Sequence, residues 1–323
     1  MIAFGPVPSR RLGKSLGINN IPAKICSYSC VYCQLGRTIK VKVERRGFHN
    51  PKEVFVKVNE KINQAKAREE EIDYLTFVPD GEPTLDANLG KEIDFLRRAK
   101  IPIAVITNAS LLWREDVRTD LLEADLVSLK VDAISENLWR RVDRPHGALK
   151  INQILEAIVD FSKEFKGTIF TETMLIDLIN YTDEFEKIAN FLAEVRPNKA
   201  YVAVPTRPPA EDWVRPARET FVNEAFQVFA KKLEPSRVEW LMGYEGNAFA
   251  FTGNVEEDLL SIMSVHPMRE EGIKELLRKA NSDWLTVKRL LNEGKIIELE
   301  YQDHIYYMRK IPSRTDRQMI PKT

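Results

Sequence analysis

The only cysteines of this chain lie between positions 26 and 33, as Cys26-Ser27-Tyr28-Ser29-Cys30-Val31-Tyr32-Cys33. An odd number spaced this tightly cannot form a disulfide framework. In a cytosolic chain, clustered cysteines point to metal binding or redox chemistry. The spacing C-x3-C-x2-C on a loop suits an iron–sulfur cubane, because thiolates are the soft ligands that such clusters take. Three thiolates leave one of the four irons open, and an amino-acid chelate such as the methionine part of S-adenosylmethionine is the kind of ligand it needs. The competing reading is a zinc site completed by one of the four histidines, with His49 the nearest. Structural zinc sites usually pair C-x2-C units at two separate knuckles, and this chain has one run.

Taken together, these residues resemble a known family. C-x3-C-x2-C with the aromatic Tyr32 before the last cysteine is similar to the signature of the radical S-adenosylmethionine (SAM) superfamily. Asp80-Gly81-Glu82-Pro83 resembles that superfamily's glycine-glycine-glutamate-proline motif, with Asp80 in place of the first glycine. The run from Phe4 to Gly17, with Leu35-Gly36-Arg37-Thr38 and Gly81-Glu82-Pro83-Thr84-Leu85, resembles more narrowly the iron–sulfur oxidoreductases grouped with wyosine-tRNA synthases. The resemblance extends from residue 1 to about 210.

That resemblance implies a [4Fe–4S] cluster on Cys26, Cys30 and Cys33, with SAM as the second cofactor. It implies that the Asp80, Gly81, Glu82 and Pro83 segment holds the methionine amino group and that Tyr32 lies near the adenine. The ribose and carboxylate would fall to inward polar residues at strand ends, for which Asn108, Ser128, Lys130, Asp132 and Glu172 are the candidates. It also implies a one-electron donor of the flavodoxin or ferredoxin type. The reduced cluster would cleave SAM to a 5′-deoxyadenosyl radical that abstracts a substrate hydrogen. With no spare cysteine, a second cysteine-held cluster is excluded, which sets the chain apart from wyosine synthases and disfavours methylthiolation.

Positioning these residues requires a frame. Short apolar runs near 16–21 and over 74–78, 103–106, 126–131, 168–175 and 200–204 alternate with amphipathic stretches over 53–67, 89–99, 152–165, 184–193 and 220–232. Such alternation predicts an α/β fold with a parallel sheet, here a partial (β/α)6 barrel over residues 1–235. Sites in such barrels lie at the C-terminal mouth of the strands. The 80–83 motif, Thr107-Asn108, Asp132 and Pro205-Thr206-Arg207 all follow predicted strands and so converge there. Ser128, Lys130 and Asp132 alternate, which predicts one shared face. A glycine-bearing connecting segment at 236–254 leads to three short helices and a hairpin over 255–311. That is the pattern of a small winged helix-turn-helix domain, followed by a polar tail at 312–323.

With 44% hydrophobic residues the 323-residue chain can bury a sizeable core, and its 48 basic and 48 acidic residues balance. Nothing global therefore marks a nucleic-acid partner. No apolar run approaches the roughly 20 residues that span a bilayer, and no signal peptide is visible, so the expectation is a cytoplasmic protein without a membrane partner. Arg10, Arg11 and Arg37, with Lys40, Lys42, Arg45 and Arg46, concentrate basic charge near the cysteines. They could receive phosphates or form a solvated edge. Arg207 could clamp an anion or pair with Glu211. The substrate could accordingly be tRNA, a peptide or a small anionic metabolite. The alternative is an iron–sulfur redox regulator that binds nucleic acid through the winged helix, although the domain carries many acidic residues and its presumed recognition helix over 283–292 shows no strong basic face. His146 is placed near the predicted mouth, with a surface or cap role as its simpler reading.

Overall fold

The computed structural model describes residues 1–310, so the expected polar tail lies outside the described residues. The chain begins with β1 (Ala3–Ser9), which turns back as β2 (Gly13–Ile18), followed by the short strands β3 (Ile25–Cys26) and β4 (Lys40–Val41) around the cysteine loop. Strand and helix then alternate through α1 (Pro51–Lys66), β5 (Tyr74–Phe77), α2 (Leu89–Leu96), β6 (Ile103–Thr107), α3 (Glu115–Leu121) and β7 (Leu126–Lys130). The series continues with α4 (Glu136–Val142), α5 (Ile151–Glu164), β8 (Thr168–Met174), α6 (Glu184–Val195), β9 (Lys199–Ala203), α7 (Glu219–Leu233) and β10 (Val238–Leu241).

The main sheet runs β1-β2-β5-β6-β7-β8-β9-β10. Every pairing from β2 onward is parallel, and β1 alone is antiparallel to its neighbour. The six expected strands are present, and two more extend the sheet. β1 was obscured because Gly5, Pro6 and Pro8 read as breakers, yet an edge strand tolerates proline. β10 lies inside the segment expected to be a plain connection, and its four residues are too few for a periodic signal.

Alternate side chains along the strands divide between two faces. Val105, Val127, Leu129, Ile169 and Val202 join the core beneath the helices. Ala104, Leu126, Ile106 and Phe170 face the concave lumen, where Leu12 from the β1–β2 turn packs against them. That turn therefore closes the bottom of the lumen and carries Arg10 and Arg11 toward its interior.

Beyond β10 come α8 (Val255–Val265), β11 (Met268–Arg269), α9 (Glu270–Lys279), α10 (Leu285–Asn292), β12 (Ile296–Tyr301) and β13 (His304–Arg309). The last three strands form a small antiparallel sheet in the order β11-β13-β12. Its core includes Leu259, Ile262, Ile273, Leu276, Val287 and Leu290, and Phe4 and Val7 of β1 belong to the same cluster. The C-terminal unit is thus packed on the edge strand of the main sheet.

A buried ion pair fastens that unit to the barrel. Lys61 on α1 approaches Asp258 on α8 to 2.7 Å and donates to Thr252 Oγ1 at 2.6 Å, while the Thr252 amide donates to Asp258 at 2.8 Å. Replacing Lys61 by methionine strands a buried carboxylate, which is expected to cost about 3 kcal/mol. Urea denaturation checks this, and a cost near zero would show that water already solvates the pair. Among the described residues no helix is long and apolar enough to cross a membrane.

Candidate active site

The cysteine loop leaves the end of β2 and lies across the C-terminal mouth of the sheet. Backbone contacts hold it there: the Ser29 amide donates to Asp143 O at 3.0 Å, Val31 to Val142 O at 2.9 Å, and the His146 amide to Ser27 O at 2.9 Å. Ser27 and Ser110 share a hydroxyl hydrogen bond of 2.6 Å. Cys26, Cys30 and Cys33 are unpaired and partly buried, and all three line one cavity of about 300 Å³. Gly81, Glu82, Asn108, Ser128, Lys130 and Glu172 line the same cavity.

The Asp80–Pro83 segment is built against that loop. The Lys24 amide donates to Asp80 O at 2.8 Å, and the Glu82 amide donates to Ile25 O at 3.2 Å. A Cβ on Gly81 would stand 1.8 Å from the Ile25 carbonyl oxygen, so only glycine permits this approach. The Glu82 carboxylate accepts from Thr84 Oγ1 and Thr107 Oγ1, both at 2.6 Å, and from the amides of Thr84 at 3.1 Å and Asn108 at 2.8 Å. It thereby ties the end of β5 to the end of β6. Burial pushes the Glu82 pKa up, and those hydrogen bonds counteract it. The Asn108 side-chain amide donates to Ser27 Oγ at 2.8 Å and reaches Cys26 Sγ at 3.6 Å. Asp80, where the motif would have glycine, exchanges hydrogen bonds with Asn19 at 3.1 and 3.2 Å. Burial raises its pKa to about 6.

Across the mouth, Lys130 on β7 and Glu172 on β8 are register partners. Lys130 Nζ lies 2.6 Å from Glu172, whose other oxygen pairs with Arg11. Burial works against the charged carboxylate, but Arg11 and Lys130 outweigh it and hold the Glu172 pKa at about 2. Burial likewise opposes the Lys130 ammonium, and Asp132 and Glu172 overcome this to raise it to about 12. Lys130 also stands 4.8 Å from the centroid of the Tyr32 ring. The Tyr32 hydroxyl donates to Asp132 and, at 3.2 Å, to Asp143, which accepts from the Cys30 thiol at 3.4 Å.

The structure brings most of the expected cofactor residues together but leaves some out. Asp132 and Pro83 do not line the cavity. β7 ends at Lys130, yet the Asp132 carboxylate still lies 3.8 Å from Lys130 Nζ, as the alternation predicts. Asp132 sits behind Tyr32 and accepts from the Met174 amide at 2.7 Å.

Three of the basic residues near the cysteines, Arg11, Arg37 and Arg45, are held in ion pairs. Arg45 binds Asp116 and Asp120 together with the Thr84 and Asp86 carbonyls. Arg37 makes a two-pronged contact with Glu211 at 2.8 Å, and Arg144 pairs with the same carboxylate. Arg207 does not pair with Glu211, as the sequence allowed. It meets Glu245 at 2.5 Å and bonds to Gln34. The His146 ring accepts from the Ala148 amide at 3.2 Å, in keeping with the local role expected of it.

Sequence reasoning missed Lys24, Asp143, Glu245 and His266. Asp143 flanks His146 in a short motif and was there to be read. Glu245 and His266 lie in or beyond a stretch without periodicity and offered no signal.

The donor set suits a multi-iron cluster. Burial pushes the Cys26 thiol up to about 12 and Cys30 well above its ordinary value. Such thiols become ligands when a cationic metal favours the thiolate. Among the described residues no three His, Cys, Asp or Glu side chains converge on one ion. In a cubane each cysteine binds a different iron, so convergence on a single ion is not required.

A mostly parallel sheet with a three-cysteine loop across the C-terminal ends of its strands defines an α/β class of fold with a cysteine-lined site. The sequence model of the radical SAM superfamily matches residues 20–192, and this chain belongs to that superfamily. It is 53% identical to UPF0026 protein MJ1312 of Methanocaldococcus jannaschii over 97% of both chains. Among solved structures it is similar to SuiB of Streptococcus suis bound to S-adenosylmethionine. The TM-score is 0.52 at 14% identity, over 71% of this chain and 51% of that one. A radical SAM methyltransferase from Sphaerobacter thermophilus gives a TM-score of 0.51 at 16% identity, over 71% of this chain and 67% of its own. At such identities the solved structures establish the fold alone.

Proposed function

We propose that this protein reductively cleaves S-adenosylmethionine at a [4Fe–4S] cluster held by Cys26, Cys30 and Cys33, and directs the resulting radical at a bound substrate. The observation that carries this reading is that all three cysteines and the Gly81-Glu82 segment face one cavity, locked together by the contact of Gly81 with the Ile25 carbonyl. When bound, the cluster supplies one electron to the sulfonium of SAM, releasing methionine and a 5′-deoxyadenosyl radical.

The chain's own residues orient and enclose. Backbone groups of Gly81 and Glu82 would receive the methionine ammonium, while Lys130, with its charge secured by Glu172, would attract the carboxylate. Asn108 and Ser128 offer hydrogen bonds to the sugar, and Tyr32 is held by Asp132 and Asp143 beside the cluster loop. The C-terminal unit restricts water at the mouth, because Tyr301 and Tyr306 donate to the carbonyls of Pro205 at 3.2 Å and Thr206 at 2.8 Å. We assign residues 1–235 to the catalytic barrel and 236–254 to a connection that contributes β10. Residues 255–311 are assigned to a winged-helix-like domain, which the strand order β11-β13-β12 supports as far as residue 310. A flavodoxin- or ferredoxin-like protein would deliver the electron.

The regulator reading finds less support, since a nucleic-acid-binding helix needs free cations. On α10, Arg289 is paired with Glu256 at 2.7 Å, and Lys295 just beyond meets Glu256 at 3.0 Å and Glu293 at 2.8 Å, which leaves Lys288 as the one cation of the helix without an ion pair among the described residues. The test is anaerobic reconstitution with iron and sulfide, followed by dithionite and SAM. The expected result is a broad iron–sulfur absorbance and accumulating 5′-deoxyadenosine, both lost in Cys30→Ala. Zinc retained without a cluster, or a cluster that never cleaves SAM, would sink the proposal.

A further inference from the structure

We infer that a second chamber, beside the cofactor cavity, receives the carboxylate or phosphate of a small-molecule substrate, held by Arg10 together with Arg207. The inference rests on the proposed SAM chemistry only for what occupies the neighbouring cavity. The chamber measures about 130 Å³ and shares Arg10, Arg11, Gln34 and Arg207 with the larger one. Its walls are the β1–β2 turn, the lumen of the barrel, and Glu245 and His266 from the chain beyond the barrel.

Charge in this chamber does not balance internally. Arg11 is offset by Glu172, and Arg207 by Glu245. Arg10 donates to the Gly243 carbonyl at 3.0 Å, and among the described residues no carboxylate forms an ion pair with it. Burial, and then the like charge of Arg207, lower the Arg10 pKa, while the carboxylates of Glu245 and Glu172 act in the opposite sense without pairing with it. His266, buried against Glu245 and Arg207, adds no positive charge, since burial brings its pKa down to about 4. One guanidinium without an ion-paired carboxylate, lining the same small chamber as Arg207, is the complement of an oxyanion.

Size argues for a small molecule. The chamber is below the roughly 300–1,000 Å³ typical of pockets that bury drug-sized ligands. The C-terminal unit also closes over it, with Gln34 donating to Val265 O at 2.8 Å. An RNA or an extended peptide would have to displace that unit.

The test titrates inorganic phosphate and propionate calorimetrically into the anaerobically reconstituted protein. Saturable binding of at least one anion is expected, weakened about tenfold or more by Arg10→Met and largely retained by Arg10→Lys. The exposed-site control Arg97→Met should match the wild type, and cluster absorbance confirms that each variant is folded and loaded. Equal binding by Arg10→Met, no saturable binding of either anion, or binding of bulk tRNA in their place would each overturn the inference. 5′-Deoxyadenosine is measured in the same preparations. If anions bind in the expected way but SAM is not cleaved, it is the proposed function that fails and not the chamber.

Discussion

Gly81→Ala is expected to lower 5′-deoxyadenosine formation by about a hundredfold or more, equivalent to roughly 2.7 kcal/mol at the barrier. The added methyl would sit 1.8 Å from the Ile25 carbonyl oxygen and 2.8 Å from Ile21 Cδ1. That carbonyl cannot move away freely. It accepts from the Glu82 amide at 3.2 Å, and the next residue is the first cysteine. Relief therefore shifts either Cys26 or the Gly81-Glu82 backbone, and with it one of the two faces of the cofactor site. Iron content per chain, visible absorbance and turnover are to be read together. Full cluster content with wild-type cleavage would mean that the loop yields, and the contact would lose its proposed importance.

Glu172→Gln is expected to destabilise the fold by about 3 kcal/mol, because it leaves two partly buried cations facing each other without their shared carboxylate. Arg11 reaches Glu172 from the bottom of the lumen and Lys130 from the neighbouring strand, so the loss is felt by β1, β7 and β8 together. SAM cleavage should fall as well, since Lys130 would no longer be held at the cavity. The pH dependence has a definite sign. Glu172 is charged in the folded protein down to about pH 2, below its ordinary value of 4.5. Its contribution is therefore complete above that ordinary value and declines as the pH falls toward 2. The gap in stability between wild type and variant should be widest near neutral pH and shrink in acid. A gap that is constant with pH would contradict the ion-pair account.

Much of the site was legible because its chemistry is local in the chain. Cys26, Cys30 and Cys33 are neighbours in sequence, and Gly81-Glu82-Pro83 is a contiguous motif after a strand of strong β pattern. Alternation also predicted Ser128 and Lys130 on one face, since period-2 patterning carries through a strand. It reached Asp132 as well, whose carboxylate lies 3.8 Å from Lys130 Nζ, although that residue stands outside the cavity itself. β1 and β10 were missed. A proline-containing edge strand and a four-residue strand are stabilised by the sheet they join, not by their own composition.

The sequence by itself determined the superfamily and the mostly parallel α/β frame, because motif spacing and periodicity are properties of the chain. Tertiary structure alone decided which charges remain available. The partners of Arg37, Arg45 and Arg207 could not be read from the chain. Folding gave Arg37 to Glu211, Arg45 to Asp116 and Asp120, and Arg207 to Glu245, while Arg10 kept only a carbonyl. Glu211 lies 174 residues from Arg37 in the chain. Pairing at that distance depends on how strands and loops are arranged around the mouth, and no local pattern encodes it.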